Sequence, residues 1–599
     1  MSALEIAPIP EPIDPQTVPV ARDYLGIDPN TPPSTAVREG QQENLRDEVF
    51  SSSWSDKQAL SVVLHDFDRA AAYRQTNHEQ RWQEAAELYL AYNAHQQFWD
   101  GTRVPRANMQ VHLCFQQVEA LIPQLVDAIT GNDLAFDVEA GRAGTTISQA
   151  HSVRDVVSYQ LRSLGGMHTR FLGWREVVRR QAKDGLIFGN GINEWGWEGP
   201  YEVEETKWET HNFPQFVQIP HPEIPGMSIN VPTGMQGSVN VPVSKKKVVS
   251  QFYLDPCPLM DFYIDPNTRG TNVQEAEFAI RRKLMSVEEL SDLRDKPGWK
   301  IPDDKVLYAL AKQKQWTQGD TTRQVIDSIH GENTQPTEDF SLDPRLAKVE
   351  VFRYFSRGHH VWVLGRSHVA RNSKNQYGAI PFTNWTYVDV PNAFYGQSIP
   401  DICRTDQKLA KALIDGRLDE VNLILHPQFI AKRGVFRSQS ASRMRPGGVW
   451  EADDPNKDIT RVEMGNVTQN AYTEVASLEQ RVQAKTGVTD LATLGVASAG
   501  GNSANRTATG VQAQTNASNT RSHYLVANYE DQVVQVILET IWQLSREFMD
   551  PQQVLEIVGP DGQGIMLNPV DLLNADPRFV MRTAQRMKQR SGLQGGGLN

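Results

Sequence analysis

Apolar positions along the chain repeat first at helical spacing and then in alternation. Residues 78–99 place Trp82, Ala85, Leu88, Leu90 and Tyr92 near one helical face. Residues 111–130 space Val111, Phe115, Val118, Ile122, Leu125 and Ile129 by three or four. Two more helices are predicted over 145–163 and 168–184, the second ending at Asp184-Gly185. From Leu186 the pattern alternates. LIFGNGINEWGWEGPYEVE predicts a hairpin, KKKVVSQFYLDPCPLMDFYIDP and EAEFAIRRKLM further strands, and SVEELSDLR a short helix. Residues 210–245 hold many prolines and glycines, as an inserted loop or edge hairpin would. KVEVFRYFSRGHHVWVLG predicts another strand pair. Helices followed by a mainly antiparallel sheet give an α+β body.

The next 200 residues return to helical spacing. Residues 400–425 begin with Pro400 after Ser398 and carry Ile402, Leu409, Leu413, Leu418, Val421 and Leu425 on one narrow stripe. Such a stripe suits a helix lying side by side with neighbours. A shorter helix is predicted over 471–486, with Asn470 as N-cap, Tyr472, Val475, Leu478 and Val482 as its seam, and Gly487 as its stop. Strand character lies between them in PQFIAKRGVF, GGVWEAD and ITRVEM. A third helix is predicted from Thr507 to Phe548, with Leu525, Tyr529, Val533, Ile537, Ile541, Leu544 and Phe548 at three-or-four spacing and Trp542 alongside.

Composition changes this picture little. The 599 residues suggest about four structural units. The balance of 60 basic against 72 acidic side chains gives a net charge of −12, opposite to the surplus of a tight nucleic-acid binder. Residues 1–59 begin rich in Pro, Asp, Glu and Thr and read as a mobile or loosely docked arm. No signal pattern opens the chain and no apolar run approaches a membrane span, so a cytosolic origin is expected.

Candidate chemistry is sparse. Cys114, Cys257 and Cys403 share no metal-binding spacing and read as buried small hydrophobes. His359 and His360 are adjacent on a predicted strand, hence on opposite faces, and cannot chelate one ion. GNGINEWG lacks the lysine and following helix of a phosphate loop, and no Walker A pattern occurs. The acidic group Asp453, Asp454 and Asp458 reads as a solvated turn. No nucleophile, base and orienter assemble, so neither an enzyme nor a cofactor or metal site is expected. One basic run stands out: Lys432, Arg433, Arg437, Arg443 and Arg445, with no acid from Val421 to Trp450. It is either a solvated loop or a docking face for an acidic partner or a DNA backbone.

Taken in order, AFYGQSIPDICRTDQKLAKALIDGRLDEVNLILHPQF, RMRPGGVW, TGVTD, a Gly/Ala/Ser loop and NRTATGVQAQ resemble the tailed-phage portal proteins, or head-to-tail connectors. Weaker echoes upstream are WDGTRVPRANMQVHLCFQQVEALIPQLVDAI, DGLIFGNGINEWGW and DPCPLMDFYIDP. The resemblance implies a wing over 60–395, stem helices over 396–426 and 470–488, a small β-containing clip over 427–469, and a tunnel loop over 489–506. A long wing helix over 507–549 and a reduced crown over 550–599 complete it. Two departures are a glycine at 510, where relatives often have an acid that would complete a capping box with Thr507, and a short carboxyl end.

The resemblance further implies a homo-oligomeric ring of about twelve copies at one capsid vertex of the virion, assembled in the host cytoplasm. Its implied partners are the packaging terminase, a tail adaptor or head-completion protein, the major capsid protein, and double-stranded DNA passing transiently through the channel during packaging and ejection. No membrane is involved. Oligomer contacts fall on Leu409, Leu413, Leu418, Val421, Val475, Leu478 and Val482. Clip contacts fall on Lys432, Arg433, Arg437, Arg443 and Arg445. The DNA-channel loop falls on Gly495, Gly500, Gly501, Asn502, Ser503, Asn505 and Arg506. A duplex that slides must not be held by fixed cations, and a small, polar loop on an acidic chain meets that demand. Rival readings are a tail hub or adaptor, and a packaging-motor enzyme, which would need the missing phosphate loop.

Overall fold

A computed structural model describes residues 54–92, 107–131, 136–140, 147–164, 172–220, 228–312, 325–326, 344–425, 429–431, 459–461, 468–488, 521–548, 556–558, 564–566 and 577–581. The chain opens with α1 (Asp56–Asn77) and α2 (Glu79–Leu90). Then follow α3 (Leu113–Thr130), β1 (Phe136–Ala140), α4 (Ile147–Ser163) and α5 (Trp174–Phe188). The β-rich part holds β2 (Asn190–Pro220), β3 (Ser228–Cys257), β4 (Phe262–Ile264), β5 (Phe278–Ser286), α6 (Val287–Ser291), α7 (Asp304–Lys312), β6 (Lys348–Ser356), β7 (His359–Leu364), β8 (His368–Lys374) and β9 (Phe382–Thr386). After it come α8 (Ile399–Leu425), β10 (Phe429–Ala431), β11 (Ile459–Arg461), α9 (Thr468–Thr486) and α10 over 521–548, with a π-turn at Glu530–Val534. β12 (Glu556–Val558), β13 (Gly564–Met566) and β14 (Pro577–Met581) close it.

The sheets are antiparallel throughout, as the alternating patterns predict. β4 to β8 form a five-stranded meander in sequence order, and β3, β2 and β9 form a three-stranded sheet. Period-two alternation buries both faces of the meander. Phe352, Tyr354, Val361 and Val363 meet Ala59, Val63, Phe67 and Ala70 of α1, while Val349, Val351, Trp362 and Leu364 meet Leu290, Leu307 and Leu310 of α6 and α7. The phenyl ring of Phe67 sits 4.5 Å from that of Phe352 and 4.6 Å from the Tyr263 ring, fully buried. Truncating such a ring to alanine costs about 3–5 kcal/mol. Helix α1 lies outside the helical stretches predicted from the sequence. Ser55 starts it with a reciprocal capping box to Gln58.

Several expectations need correction. The helix expected to stop at Asp184-Gly185 continues to Phe188, and Leu186–Phe188 belong to it rather than to a hairpin. Gly185 is no stop signal. An added Cβ there would sit 2.4 Å from Cε3 of Trp385, so the missing side chain lets the helix lie on β9. The stop is Gly189, at φ +97°. From Asn190 the chain runs as one long strand, not a hairpin. It pairs with β3 from Ile192↔Cys257 out to Pro220↔Ser228, with irregularities near Glu198 and Pro214. In α3, Phe115 is 40% exposed, and the buried face instead includes Cys114, Leu121 and Val126.

The GNGINEWG segment is structural. Gln181 of α5 donates to Gly191 O at 3.0 Å and accepts from Asn193 and the Tyr529 hydroxyl, each at 2.6 Å. One buried amide thus ties α5, β2 and α10 together. Beneath it Glu194, fully buried, accepts from Arg281 at 2.6 Å and Arg353 at 3.1 Å. Burial pushes this carboxyl up, but Arg353 and Arg281 outweigh that and hold it below the usual range.

Candidate functional site

The helix pair α8 and α9 carries the residues that the sequence singles out for assembly. Ser398 begins α8 with a box of its own: its hydroxyl accepts from Asp401 N at 3.2 Å, while its N–H donates to the Asp401 carboxylate at 2.9 Å. The next turns divide their faces among three neighbours. Gln407 donates to Leu88 O of α2 at 2.7 Å and accepts from Cys114 N of α3 at 2.8 Å. Arg404 and Lys408 both hold Glu84 of α2. Asp415 and Asp419 accept the backbone N–H groups of Met109 and Ala107, each at 2.7 Å.

Facing α9, Asp406 is only 2% exposed and lies between Lys485 and Arg481. The Arg417 guanidinium rests 4.2 Å above the ring of Tyr472, closing the pair further along. Helix α9 begins at Thr468, so Asn470 lies inside it and is not its N-cap. Its stop is the expected one: Gly487 takes φ +79° and its N–H donates to Gln483 O at 2.8 Å.

That stop brings together two points distant in sequence. Arg521, at the first described turn of α10, donates to Ala484 O at 2.5 Å, and its Cδ lies 2.6 Å from where a Cβ on residue 487 would be. The described residues on either side of 489–520 therefore lie next to each other. Thr486 donates to Gln117 of α3 at 2.6 Å, pinning that place to the helical core. Past the far end of α8, β10 pairs antiparallel with β11, Phe429 opposite Arg461. Of the strand character expected in PQFIAKRGVF, GGVWEAD and ITRVEM, Phe429–Ala431 and Ile459–Arg461 are strands, and the rest, GGVWEAD included, lies outside the described residues.

Among the predicted contact residues, Leu478 and Val482 are buried inside the subunit. Leu413, Leu418, Val421 and Val475 are half-buried, and Leu409 is 46% exposed. Thr405, Ala412 and Gly416 share the open face of α8 with Leu409. Lys432, Arg433, Arg437, Arg443 and Arg445 lie outside the described residues, as do Gly495, Gly500, Gly501, Asn502, Ser503, Asn505 and Arg506.

The cysteines and histidines behave as structural residues. All three cysteines are free and buried. The thiols of Cys114 and Cys403 hydrogen-bond each other, which together with burial pushes Cys114 up. His359 stacks on Trp54, whereas His360 accepts from Trp362 Nε1 at 2.7 Å on the other face. Among the described residues, no three or more His, Cys, Asp or Glu side chains are grouped to hold a metal, and no helix is long and apolar enough to cross a membrane.

Compared with known families, the chain matches the phage SU10 portal protein over residues 59–575. It belongs to that family. The match spans the helical core, both main sheets, the α8–α9 pair and α10, so membership of the portal family rests on nearly all of the described fold and not on one motif. No curated protein matches the chain. The portal family is a structural one, consistent with the sparse chemistry read from the sequence.

Proposed function

We propose that this portal protein forms a closed ring at one capsid vertex, with α8 and α9 as the stem through which neighbouring copies touch. The observation that carries the reading is the division of faces on α8. Three sides are covered by α2, α3 and α9, while Thr405, Leu409, Ala412 and Gly416 stay open. A helix whose own subunit leaves an apolar residue on an otherwise small-residue face suits close side-by-side packing with a copy of itself. Residues 427–469 serve as the clip, where Lys432, Arg433, Arg437, Arg443 and Arg445 face the packaging terminase and later the tail adaptor. Arg521 lies beside Gly487, and the Gly/Ala/Ser sequence between them serves as a tunnel loop. Gly495, Gly500 and Gly501 give it freedom, Asn502, Ser503 and Asn505 offer weak polar contacts, and Arg506 reaches phosphate. DNA enters during packaging and leaves at ejection through this channel, and the wing meets the major capsid protein.

The test is the mass and outline of the purified protein. Light scattering after size exclusion gives about twelve times 67.3 kDa, and negative-stain images show a wide ring with a central hole. A chain that stays monomeric at micromolar concentration across salt conditions overturns the reading.

A further inference from the structure

Helices α3 and α8 meet cysteine to cysteine. Cys114 stands at the start of α3 and Cys403 near the start of α8, with the whole β-rich part of the chain between them. Both side chains are fully buried in the main helical core. Gln407 lies one turn after Cys403, on the same face of α8, and accepts from Cys114 N at 2.8 Å. That bond sets the start of α3 against this face, where the two thiols hydrogen-bond each other. The third cysteine, Cys257, sits in a separate core cluster and donates to Pro258 O.

The paired thiols need only close from hydrogen-bond contact to bonding distance to become a disulfide. They also differ in acidity. The hydrogen bond from Cys114, and after it the Lys485 ammonium, hold the Cys403 thiol below its usual range. The same hydrogen bond, together with burial, pushes Cys114 up. A thiolate is the nucleophile in sulfur oxidation, so Cys403 is the attacking sulfur and Cys114 the resolving one. Solvent reaches close to them. A cleft of about 240 Å³ between α2 and α8 is lined by Leu88, Val111, Lys408 and Gln407, the last being the residue that holds Cys114 N.

We propose that Cys114 and Cys403 form an oxidation site at which a peroxide makes a disulfide, fastening α8 to α3. The Cys403 thiolate attacks one peroxide oxygen and the O–O bond breaks. The departing hydroxide takes the proton the thiol gave up, which leaves a sulfenic acid and one water. Cys114 Sγ then attacks Cys403 Sγ, the S–O bond breaks, and hydroxide leaves as a second water with the Cys114 proton. Two thiols lose two electrons, and the peroxide is reduced to two waters. One consequence rests on the virion reading above. Thiols stay reduced in the cytosol and oxidise outside cells, so α8 is free to adjust during assembly and is fixed in the released particle.

The purified chain, treated with a small excess of hydrogen peroxide, is blocked with N-ethylmaleimide in denaturant and mapped as peptides without reduction. Free thiols fall from three to one per chain, the peptides of Cys114 and Cys403 run joined, Cys257 stays free, and dithiothreitol restores all three. The oxidised chain melts roughly 3 °C or more above the reduced one, because the link closes a very long loop, and Cys403→Ala lacks that gain. Three free thiols after treatment, sulfinic acid in place of the link, or a link that leaves melting unchanged each overturn the proposal. The parent chain gives these readouts by itself, whether or not Cys403→Ala folds. They are also independent of whether the chain forms rings, so a missing link and a missing ring are separate failures. Subunits from released particles carry the link under the same quench, and those from unlysed host cells do not. The same thiol state in both overturns the timing.

Discussion

Glu194 and Asp406 are both buried carboxylates held by two cations, yet their surroundings differ. Glu194 has the buried Arg281 and the nearly buried Arg353 around it, in the region where β2, β5 and β6 meet. Asp406 has Lys485 and Arg481, whose side chains are 35% and 60% exposed. In the sheet body Glu194 and its two guanidinium partners are almost wholly closed off from water, and Arg281 is also held by Asp255, so these charges depend on one another. In the helix pair only the carboxylate is enclosed, and its cations keep access to solvent. Enclosure of this kind suits a rigid body, and solvent access suits an adjustable surface of the sort proposed above for the α8–α9 pair.

Breaking the closed group has the largest effect. Glu194→Gln leaves the nearly buried Arg353 without its counter-charge and Arg281 with Asp255 alone, and removing one partner from such a group costs about 3–5 kcal/mol. Urea unfolding followed by intrinsic fluorescence reads this as a lower midpoint with an unchanged slope. Because the folded carboxyl lies below its usual range, its contribution is present above the unfolded value and is lost as pH falls through the folded one. A second acid-sensitive group is His78, packed against the rings of Tyr73, Trp82 and Tyr395. Burial, with Arg81 and Arg74 close by, pushes its imidazole down to about 4. The fold resists its protonation, so stability falls as pH drops from about 6.5 towards 4. In His78→Gln that slope between pH 6.5 and 4 flattens, measured by thermal melting at stepped pH. An unchanged slope would assign the acid sensitivity to other groups.

The open face of α8 is the other side of the comparison. Leu409 is 46% exposed, so Leu409→Lys removes little packing inside the subunit and the melting temperature of the dissociated chain stays within about 1 °C of the parent, the cost of an exposed substitution being under about 0.5 kcal/mol. Ring assembly suffers instead, with the midpoint concentration raised about tenfold or more, equivalent to about 1.4 kcal/mol for each contact. Rings as stable as the parent's would place the interface on another face.

Where periodicity and packing coincide, the fold is legible in the sequence. The stripe Leu525, Tyr529, Val533, Ile537 and Ile541 is the buried face of α10, and the strand parity of His359 and His360 places them on opposite faces as expected. Helix α1 carries a comparable signal in Ala59, Val63, Phe67 and Ala70, strengthened by Ser55 and Gln58, yet it adjoins a Pro-rich arm that hides its start. Gly185 shows the opposite error. Read locally it ends a helix, but Trp385, 200 residues away, gives it a packing role that no local pattern encodes. The same holds for the candidate site. The apolar positions proposed as stem contacts are visible in the sequence, whereas their split into buried Leu478 and Val482 on α9 and exposed Leu409 on α8 depends on what each helix meets. The contact of Arg521 with Gly487 joins positions 34 apart in the chain and has no sequence signature at all.

The smallest effect belongs to Asp406 itself. Asp406→Asn keeps the shape of the side chain and removes the charge between Lys485 and Arg481. Both cations already reach water, so neither is stranded, and pairs this exposed on one side contribute about 0.2–1 kcal/mol. The isolated subunit should therefore lose less than about 1 kcal/mol by urea unfolding, well under the loss in Glu194→Gln. Salt separates the two sites further. Raising ionic strength screens exposed charges but hardly affects enclosed ones, so the gap between parent and Asp406→Asn narrows from 0.05 M to about 1 M sodium chloride, while the gap for Glu194→Gln holds. Should Asp406→Asn cost as much as Glu194→Gln at every salt concentration, the helix pair is as closed as the sheet body, and the contrast between a rigid body and an adjustable stem fails.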